Sequence, residues 1–373
     1  MKKIILLVWA AVCVLTACNE KNTFTLNGTF ANGDQNGKVI YLHPLDSLCQ
    51  IIDPIDSAKV ENDKFVFKGL TKEPLTVQMV VIDASIMPAA FIVEKGNIKM
   101  NFDSELNATV TGTPMNDKYR EFEKTKADIV MKIDSLFNQF TSDKQSGDLT
   151  SDQFQDLRVT VKQSESEMGN VIYNFLKPII ATPAGQYFFI DNLLDLNDAQ
   201  KRELIASASS DFKNMEAVQI LDKRLALRET TSPGQLFTDV KGFDPDGKGA
   251  ALSDYAGKGK IVLVDFWASW CGPCVRSMPE LITIYQKYKS MGFEIVGISL
   301  DNSKDDWKKA ITSLIITWPQ FSNLKGWDDD CAVAYGIDAI PHLMLIDKDG
   351  KIMDRNLNTD EVNFKLQELL EKK

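Results

Sequence analysis

Residues 264–274 read Val264-Asp265-Phe266-Trp267-Ala268-Ser269-Trp270-Cys271-Gly272-Pro273-Cys274. From Lys260 onward the chain is apolar and β-branched without alternation, which predicts a central buried strand ending near Phe266. We expect a helix to follow, from about Cys271 to Ser290. This spacing places Cys271 at the helix N-terminus, where unpaired backbone N–H groups and the helix dipole stabilise a thiolate.

The two cysteines of this stretch have the spacing of a redox-active pair. A thiolate is the nucleophile of disulfide exchange, and a cysteine at a helix N-terminus can titrate well below about 8.5. Cys274 follows one turn later and can attack a mixed disulfide formed at Cys271. Pro273 fixes the turn between them. The pattern predicts thiol–disulfide chemistry with no cofactor besides a redox-active Cys271–Cys274 disulfide.

The stretch Val264–Cys274 resembles thioredoxin nearly residue for residue, and the frame from about Pro233 onward resembles the TlpA/ResA-like branch of membrane-anchored thioredoxins. Further elements are expected in thioredoxin-like order: a strand over 293–300, helices over 304–313 and 328–335, strands over 342–347 and 351–354, and a helix from about 359. The resemblance implies an α/β thioredoxin-like domain over residues 231–373 and thiol–disulfide oxidoreductase activity.

The resemblance also assigns roles to individual residues. Pro341 aligns with the thioredoxin cis-proline, which leaves the backbone of Ile340 free to pair with an extended substrate; a trans-proline at a strand start is the alternative. Asp265 aligns with the buried aspartate beneath the disulfide, where desolvation would raise its pKa and let it exchange a proton with Cys274. The alternative for Asp265 is a strand carboxylate satisfied by local hydrogen bonds.

Substrate contacts are expected around the first cysteine, from Trp270, Gly272, Pro273, Ile340 and Pro341. Trp270 is predicted to lie at the surface, whereas Phe266 and Trp267 pack in the core. The Gly272–Pro273 dipeptide and Ile340 resemble those of reducing thioredoxins, which implies a reductase or isomerase rather than an oxidase.

Two titratable residues near the site have open roles. His342 either titrates near the cysteines or packs on the sheet. Several anchored relatives carry a carboxylate after the second strand, and Asp301 stands one position from that place, so no catalytic role is assigned to it.

Two other uses of such a cysteine motif fit this sequence poorly. A zinc site needs two further ligands, and the remaining candidates are not paired at metal-site spacing: His43, Cys49, Cys331 and His342. Peroxidases of this fold family place Pro and Thr seven and three residues before the reactive cysteine, where this chain has Val264 and Ala268. No metal site is therefore predicted.

The N-terminus has the pattern of a secretion signal. Lys2 and Lys3 precede an apolar run, Ile4–Ala17, that is shorter than the about 20 residues needed to cross a bilayer. The segment Leu15–Cys18 resembles the bacterial lipobox, which implies cleavage before Cys18 and lipidation of its side chain. We expect a protein of the bacterial cell envelope, lipid-anchored and facing the periplasm.

Two further regions separate the signal, residues 1–18, from the redox domain. Residues 19–112 contain short strands with frequent turns, which predicts an antiparallel β-sandwich-like domain. This region resembles a domain of unknown function that precedes thioredoxin domains in lipoproteins, through Asn27–Phe30, Phe65–Gly69 and Gly112–Asp117. Residues 113–230 have helical periodicity, carried by Tyr119, Phe122, Ile129, Ile133 and Phe137.

The composition limits which kinds of binding partner are expected. The 373 residues carry 42 Lys+Arg against 52 Asp+Glu, and the basic residues are scattered, so nucleic acid is not an expected partner. Six cysteines occur; besides the active pair, Cys13 would leave with the signal and Cys18 would be lipidated. Cys49 and Cys331 are either free buried thiols or bridged to each other.

The sequence therefore predicts an envelope enzyme that exchanges disulfides with protein disulfide or dithiol substrates. Such an enzyme needs a membrane electron donor or acceptor, which this sequence does not contain. A binding lipoprotein, whose first 230 residues recognise a ligand or partner and whose redox domain is secondary, is the competing hypothesis.

Overall fold

The computed structural model describes residues 22–71, 75–83, 86–146 and 151–371. The predicted signal and Cys18 lie outside these residues. Within the described ranges, no helix combines the length and the apolar character needed to span a bilayer. The described residues form two compact units: one holds those up to Ser135 together with Gln163–Leu196, and the other holds those of Leu136–Lys162 and those from Asn197 onward.

The described part of the first unit contains eight strands in two four-stranded sheets. Their bounds are β1 Thr23–Phe30, β2 Val39–Pro44, β3 Asp56–Lys59, β4 Lys64–Leu70, β5 Thr76–Val81, β6 Ala89–Val93, β7 Gly96–Phe102 and β8 Ala108–Thr111. The sheet orders are β4-β1-β7-β8 and β3-β2-β5-β6. Buried side chains of both sheets, including Leu26 and Ile40, share one apolar core, as expected for a sandwich.

One strand pair of this unit departs from the predicted antiparallel pattern. β1 pairs with β7 in parallel, from Phe24 opposite Gly96 to Phe30 opposite Phe102. Parallel neighbours need a long connection, and here the whole of β2–β6 lies between the two strands.

Six helices follow in the described residues: α1 Pro114–Ser146, α2 Ser151–Leu176, α3 Pro183–Asp191, α4 Asp198–Ser207, α5 Ser210–Lys213 and α6 Glu216–Thr230. Asn197 and Gln200 form a capping box at the start of α4, as their spacing predicts. Helices α1 and α2 each contribute residues to both units, so the region 113–230 is not a unit of its own in this division.

The second unit holds the sheet that positions the cysteines. After α4–α6, its helices and strands are β9 Lys241–Phe243, β10 Gly249–Ala251, β11 Ile261–Trp267, α7 Gly272–Tyr288, β12 Phe293–Ser299, α8 Lys304–Ser313, β13 Gln320–Phe321, α9 Asp330–Ala334, β14 His342–Ile346, β15 Ile352–Leu357 and α10 Thr359–Leu370. The five-stranded sheet has the order β13-β12-β11-β14-β15. All seven residues of β11 are buried, which explains their unbroken apolar sequence.

The directions of the strands bring two distant segments together. β11 is antiparallel to β14, with Phe266 opposite His342. The residues that follow the end of β11 and those that precede β14 therefore lie at the same edge of the sheet. This places Cys271 and Pro341 side by side, although 69 residues separate the contacting Cys271 and Ile340.

Candidate active site

Cys271 and Cys274 form a disulfide at the start of α7, with their Cα atoms 5.3 Å apart. Cys271 is the N-cap of α7, and the backbone N–H of Cys274 lies 3.2 Å from its Sγ. Cys271 is 5% exposed and Cys274 only 1%. An incoming sulfur therefore reaches Cys271 more readily than Cys274.

The loop before β14 closes over the first cysteine. The Ile340–Pro341 peptide bond is cis, as the resemblance to thioredoxin implies. The carbonyl oxygen of Ile340 lies 3.7 Å from the Sγ of Cys271. A backbone group that a substrate strand can pair with is thus next to the sulfur that the substrate would reach.

Asp265 lies on β11 and is almost completely buried. Among the residues that the structure describes, nothing donates a hydrogen bond to its Oδ2. Burial raises the pKa of Asp265 to about 7. The predicted rise by desolvation is confirmed, and the alternative of a locally satisfied carboxylate does not hold for this oxygen. Its proton exchange with Cys274 stays a prediction.

Aromatic side chains near the cysteines fall into two groups. Phe266 and Trp267 are buried, whereas Trp270 is 53% exposed, as predicted. Trp270 has a neighbour that the sequence analysis missed: the ring centroid of Trp327 lies 6.1 Å away, and this side chain is 36% exposed. A lone tryptophan 57 residues downstream carries no local signal of this pairing, since the two segments meet only in the fold.

Asp301 has a structural task that its sequence position did not reveal. It is buried, and its carboxylate accepts hydrogen bonds from the backbone N–H of Ser269 at 3.0 Å and from the hydroxyl groups of Ser269 and Ser299. These bonds hold the turn that leads into Trp270 and Cys271. The pattern Ser-x-Asp after a buried strand was the available signal, but its partner Ser269 lies 32 residues earlier.

His342 packs on the sheet, the simpler of its two predicted roles. Its ring lies edge-on to Phe266, and among the described residues its Nε2 has no hydrogen-bond partner. Burial lowers the pKa of His342 to about 3, so the ring is neutral near pH 7.

The remaining cysteines are not bridged. Cys49 and Cys331 are both free thiols, so the hypothesis of a disulfide between them is wrong. Cys331 is completely buried, and its Sγ lies 3.5 Å from the carbonyl oxygen of Lys241. Burial raises the pKa of both thiols, with the nearby Asp46 adding to the effect at Cys49.

Two family models match separate parts of the chain. A model described as Thioredoxin-like matches residues 259–352, which contain the cysteine pair and Pro341. A model described as a domain of unknown function, DUF4369, matches residues 24–119 and confirms the resemblance of the N-terminal region.

Named relatives match about a third of the chain. The thiol-disulfide oxidoreductase ResA of Bacillus thuringiensis subsp. konkukian is 33% identical over 129 residues, covering 35% of this chain and 71% of the relative. ResA of Geobacillus kaustophilus is 34% identical over 123 residues, covering 33% of this chain and 65% of the relative. A solved thioredoxin domain of a thiol-disulfide oxidoreductase from Bacteroides vulgatus has 34% identity and a TM-score of 0.35, covering 37% of this chain and 98% of that domain.

The ResA match shows which family the chain belongs to. It is above 30% identity and spans more than two thirds of that relative, and the Thioredoxin-like match covers the strand, the cysteines and the cis-proline described above. The chain therefore belongs to the thioredoxin-like family of thiol-disulfide oxidoreductases.

Proposed function

We propose that this protein exchanges disulfides with protein substrates through Cys271 and Cys274, as a reductase or isomerase of the bacterial envelope. The observation that carries the proposal is the contact between Cys271 and the Ile340–Pro341 loop. It combines a cysteine at a helix N-terminus with an extended backbone group beside it. The first supports a thiolate nucleophile and the second supports binding of an extended polypeptide.

The reaction begins at Cys271 of the reduced enzyme. Its thiolate attacks one sulfur of a substrate disulfide, so that the substrate S–S bond breaks, a mixed disulfide forms and one substrate thiolate leaves. The backbone N–H of Cys274, 3.2 Å from the Cys271 sulfur, and the positive end of the α7 dipole favour the thiolate.

Cys274 completes the transfer. Its thiolate attacks the Cys271 sulfur, the Cys271–Cys274 disulfide forms, and the second substrate thiolate leaves. The substrate gains two electrons and the enzyme loses two. Asp265, with its pKa near 7, is suited to take the proton that Cys274 loses, and the departing substrate thiolates take up protons. In the opposite direction, the same steps oxidise a dithiol.

Substrate recognition is assigned to the exposed surface around Cys271. Gly272 and Pro273 are both exposed, so a substrate can approach the sulfur from that side. Trp270 offers a large apolar contact, and Ile340 offers backbone pairing. An extended, cysteine-containing segment of a protein fits these features.

Direction, anchoring and location are part of the same proposal. The Gly272–Pro273 dipeptide matches reducing thioredoxins, for which the potential is about −270 mV, so we favour a reductase or isomerase supplied by a membrane electron donor. Cys18 would carry the lipid that holds the protein on the periplasmic side of the envelope. Labelling with a radioactive fatty acid tests this: the label should enter the full chain, persist in Cys13→Ser, and disappear in Cys18→Ser.

The function is tested by trapping the intermediate. Cys274→Ser, mixed with a peptide that contains a disulfide, should accumulate a mixed disulfide at Cys271 that mass spectrometry identifies. Cys271→Ser should trap far less, because Cys274 is the more buried sulfur. Equal trapping by both variants, or none by either, would contradict the assignment. Equilibration with glutathione then sets the direction, since a potential near about −120 mV would indicate an oxidase.

A further inference from the structure

Helix α6 lies outside the family match of residues 259–352, yet it contacts the loop that precedes Pro341. The contact is made by Arg228, near the end of α6. Its Nη1 donates to the carbonyl oxygen of Gly336 at 3.2 Å and to the carboxylate of Asp338 at 2.6 Å. Asp338 stands two residues before Ile340, the residue that touches Cys271.

The same guanidinium is fixed on its other side. Its Nε and Nη2 donate to the two carboxylate oxygens of Asp198, on α4, at 2.9 and 3.1 Å. The side chain of Arg228 is only 11% exposed. A planar guanidinium that donates hydrogen bonds to partners on two sides is held in a more fixed orientation than one in a single ion pair.

The loop also packs directly against the backbone of α6. Gly336 has a positive φ of 61°, and a Cβ at this position would lie 2.4 Å from the carbonyl oxygen of Arg224 and 2.7 Å from Cγ of Arg228. Only glycine permits both the conformation and the close approach.

Arg355 holds the loop from the side of β15. Its Nη2 donates to the carbonyl oxygen of Tyr335 at 2.8 Å, and its Nη1 donates to Oγ1 of Thr231, the C-cap of α6, at 2.9 Å. The segment 335–338 is therefore fastened at both of its ends. Ala339, the residue that follows this segment, is exposed.

We propose that Arg228 is a positioning residue for substrate binding: it fixes Gly336 and Asp338, and through them the backbone of Ile340 beside Cys271. This inference rests on the proposed function, which assigns Ile340 to pairing with the substrate. It makes two side chains, Asp198 on α4 and Arg228 on α6, part of the support for the substrate-binding loop.

The test compares two arginines that both join α4 to α6. Arg228→Gln removes the bonds to the loop, whereas Arg202→Gln removes an exposed ion pair with Glu229 that does not touch the loop. Asp338→Asn removes the negative charge that faces Arg228 and leaves the bond from Arg228 to the Gly336 carbonyl in place; because the Asp338 side chain is 40% exposed, this variant should fold normally even where Arg228→Gln does not. Each full-length variant is assayed with a peptide disulfide and, separately, for reduction of the Cys271–Cys274 disulfide by dithiothreitol.

We expect Arg228→Gln and Asp338→Asn to raise KM for the peptide about tenfold with little change in kcat, as for loss of a charge-assisted hydrogen bond. The rate with dithiothreitol, which needs no strand pairing, should be unchanged. The double variant should be no worse than Arg228→Gln alone, since both changes remove the same ion pair between Arg228 and Asp338. Arg202→Gln should match the unmodified protein.

Three outcomes would overturn the inference. They are an unchanged KM in the folded Asp338→Asn variant, an equal rise in Arg202→Gln, and a parallel loss of the dithiothreitol reaction. Failure of the proposed function looks different, because the unmodified protein would then not react with the peptide disulfide at all.

Discussion

Replacing Asp265 by asparagine should change how the stability of the oxidised protein depends on pH. Burial raises the pKa of this carboxyl from 3.8 to about 7 in the folded state. Between these values the unfolded chain loses the proton and the folded chain keeps it, so the free energy of unfolding falls as pH rises from about 4 to 7. Above pH 7 the full penalty of a buried, ionised carboxylate is present.

The size of the effect follows from the shift. A difference of about 3 pKa units, at about 1.36 kcal/mol each, corresponds to about 4 kcal/mol. Asparagine keeps the shape but does not ionise, and its buried amide adds a pH-independent cost of about 1–3 kcal/mol. The stability of the variant minus that of the unmodified protein should therefore increase by about 4 kcal/mol between pH 4 and pH 8.

Chemical unfolding followed by tryptophan fluorescence measures this difference in the right domain. Five of the six tryptophans lie between Trp267 and Trp327, and the sixth is Trp9. A matched control is Glu294→Gln, on the neighbouring strand, where the carboxylate is already paired with Lys260 and Tyr285. This control should not gain stability at high pH. If Asp265→Asn differs from the unmodified protein by the same amount at pH 4 and pH 8, the buried-carboxyl argument is wrong.

Three shorter predictions concern the other side chains of this domain. Burial lowers the pKa of His342 from 6.5 to about 3. As pH falls below 6.5, the unfolded chain takes up a proton that the folded chain does not, so the free energy of unfolding decreases, by about 3 kcal/mol at pH 4. Acid unfolding of His342→Gln should lack this decrease. Trp270→Ala should raise KM for a peptide disulfide about tenfold in steady-state kinetics and leave reduction by dithiothreitol unchanged, as for loss of an aromatic anchor. In the native protein, iodoacetamide should modify half-buried Cys49 faster than buried Cys331. In denaturant without reductant it should modify both cysteines. If peptide mapping finds neither modified in denaturant, the two cysteines are bridged.

Local sequence was enough to predict the elements that carry the cysteines. The strand β11 is buried along its whole length, so it could be recognised from an apolar run alone. Helix α8 begins after Ser303, whose side chain caps it, and runs over the residues expected. The cis geometry at Pro341 was predictable only through resemblance, since an isolated proline at a strand start fits either isomer.

The parts that the sequence did not reveal depend on contacts between distant residues. β1 and β7 pair in parallel across more than 60 residues of chain, and alternation within a strand carries no information about the direction of its neighbour. Asp301, Trp327 and Arg228 were missed because each acts on a segment at least 32 residues away. Polar and aromatic side chains of this kind have no periodic signature.

The cysteine pair and the loop beside it depend on different parts of the chain. The proposed chemical step uses the short segment Trp270–Cys274, whereas the loop that would hold the substrate is fastened by Arg228 and Arg355. Both arginines lie outside the family match of residues 259–352, one on each side of it. The matched range contains the cysteines, Asp265 and Pro341 but neither arginine. We therefore expect that substitutions at Arg228 and Arg355 alter substrate binding and leave thiol–disulfide exchange itself intact. Selectivity between protein substrates can therefore change in the flanking helix and strand while the redox pair stays the same.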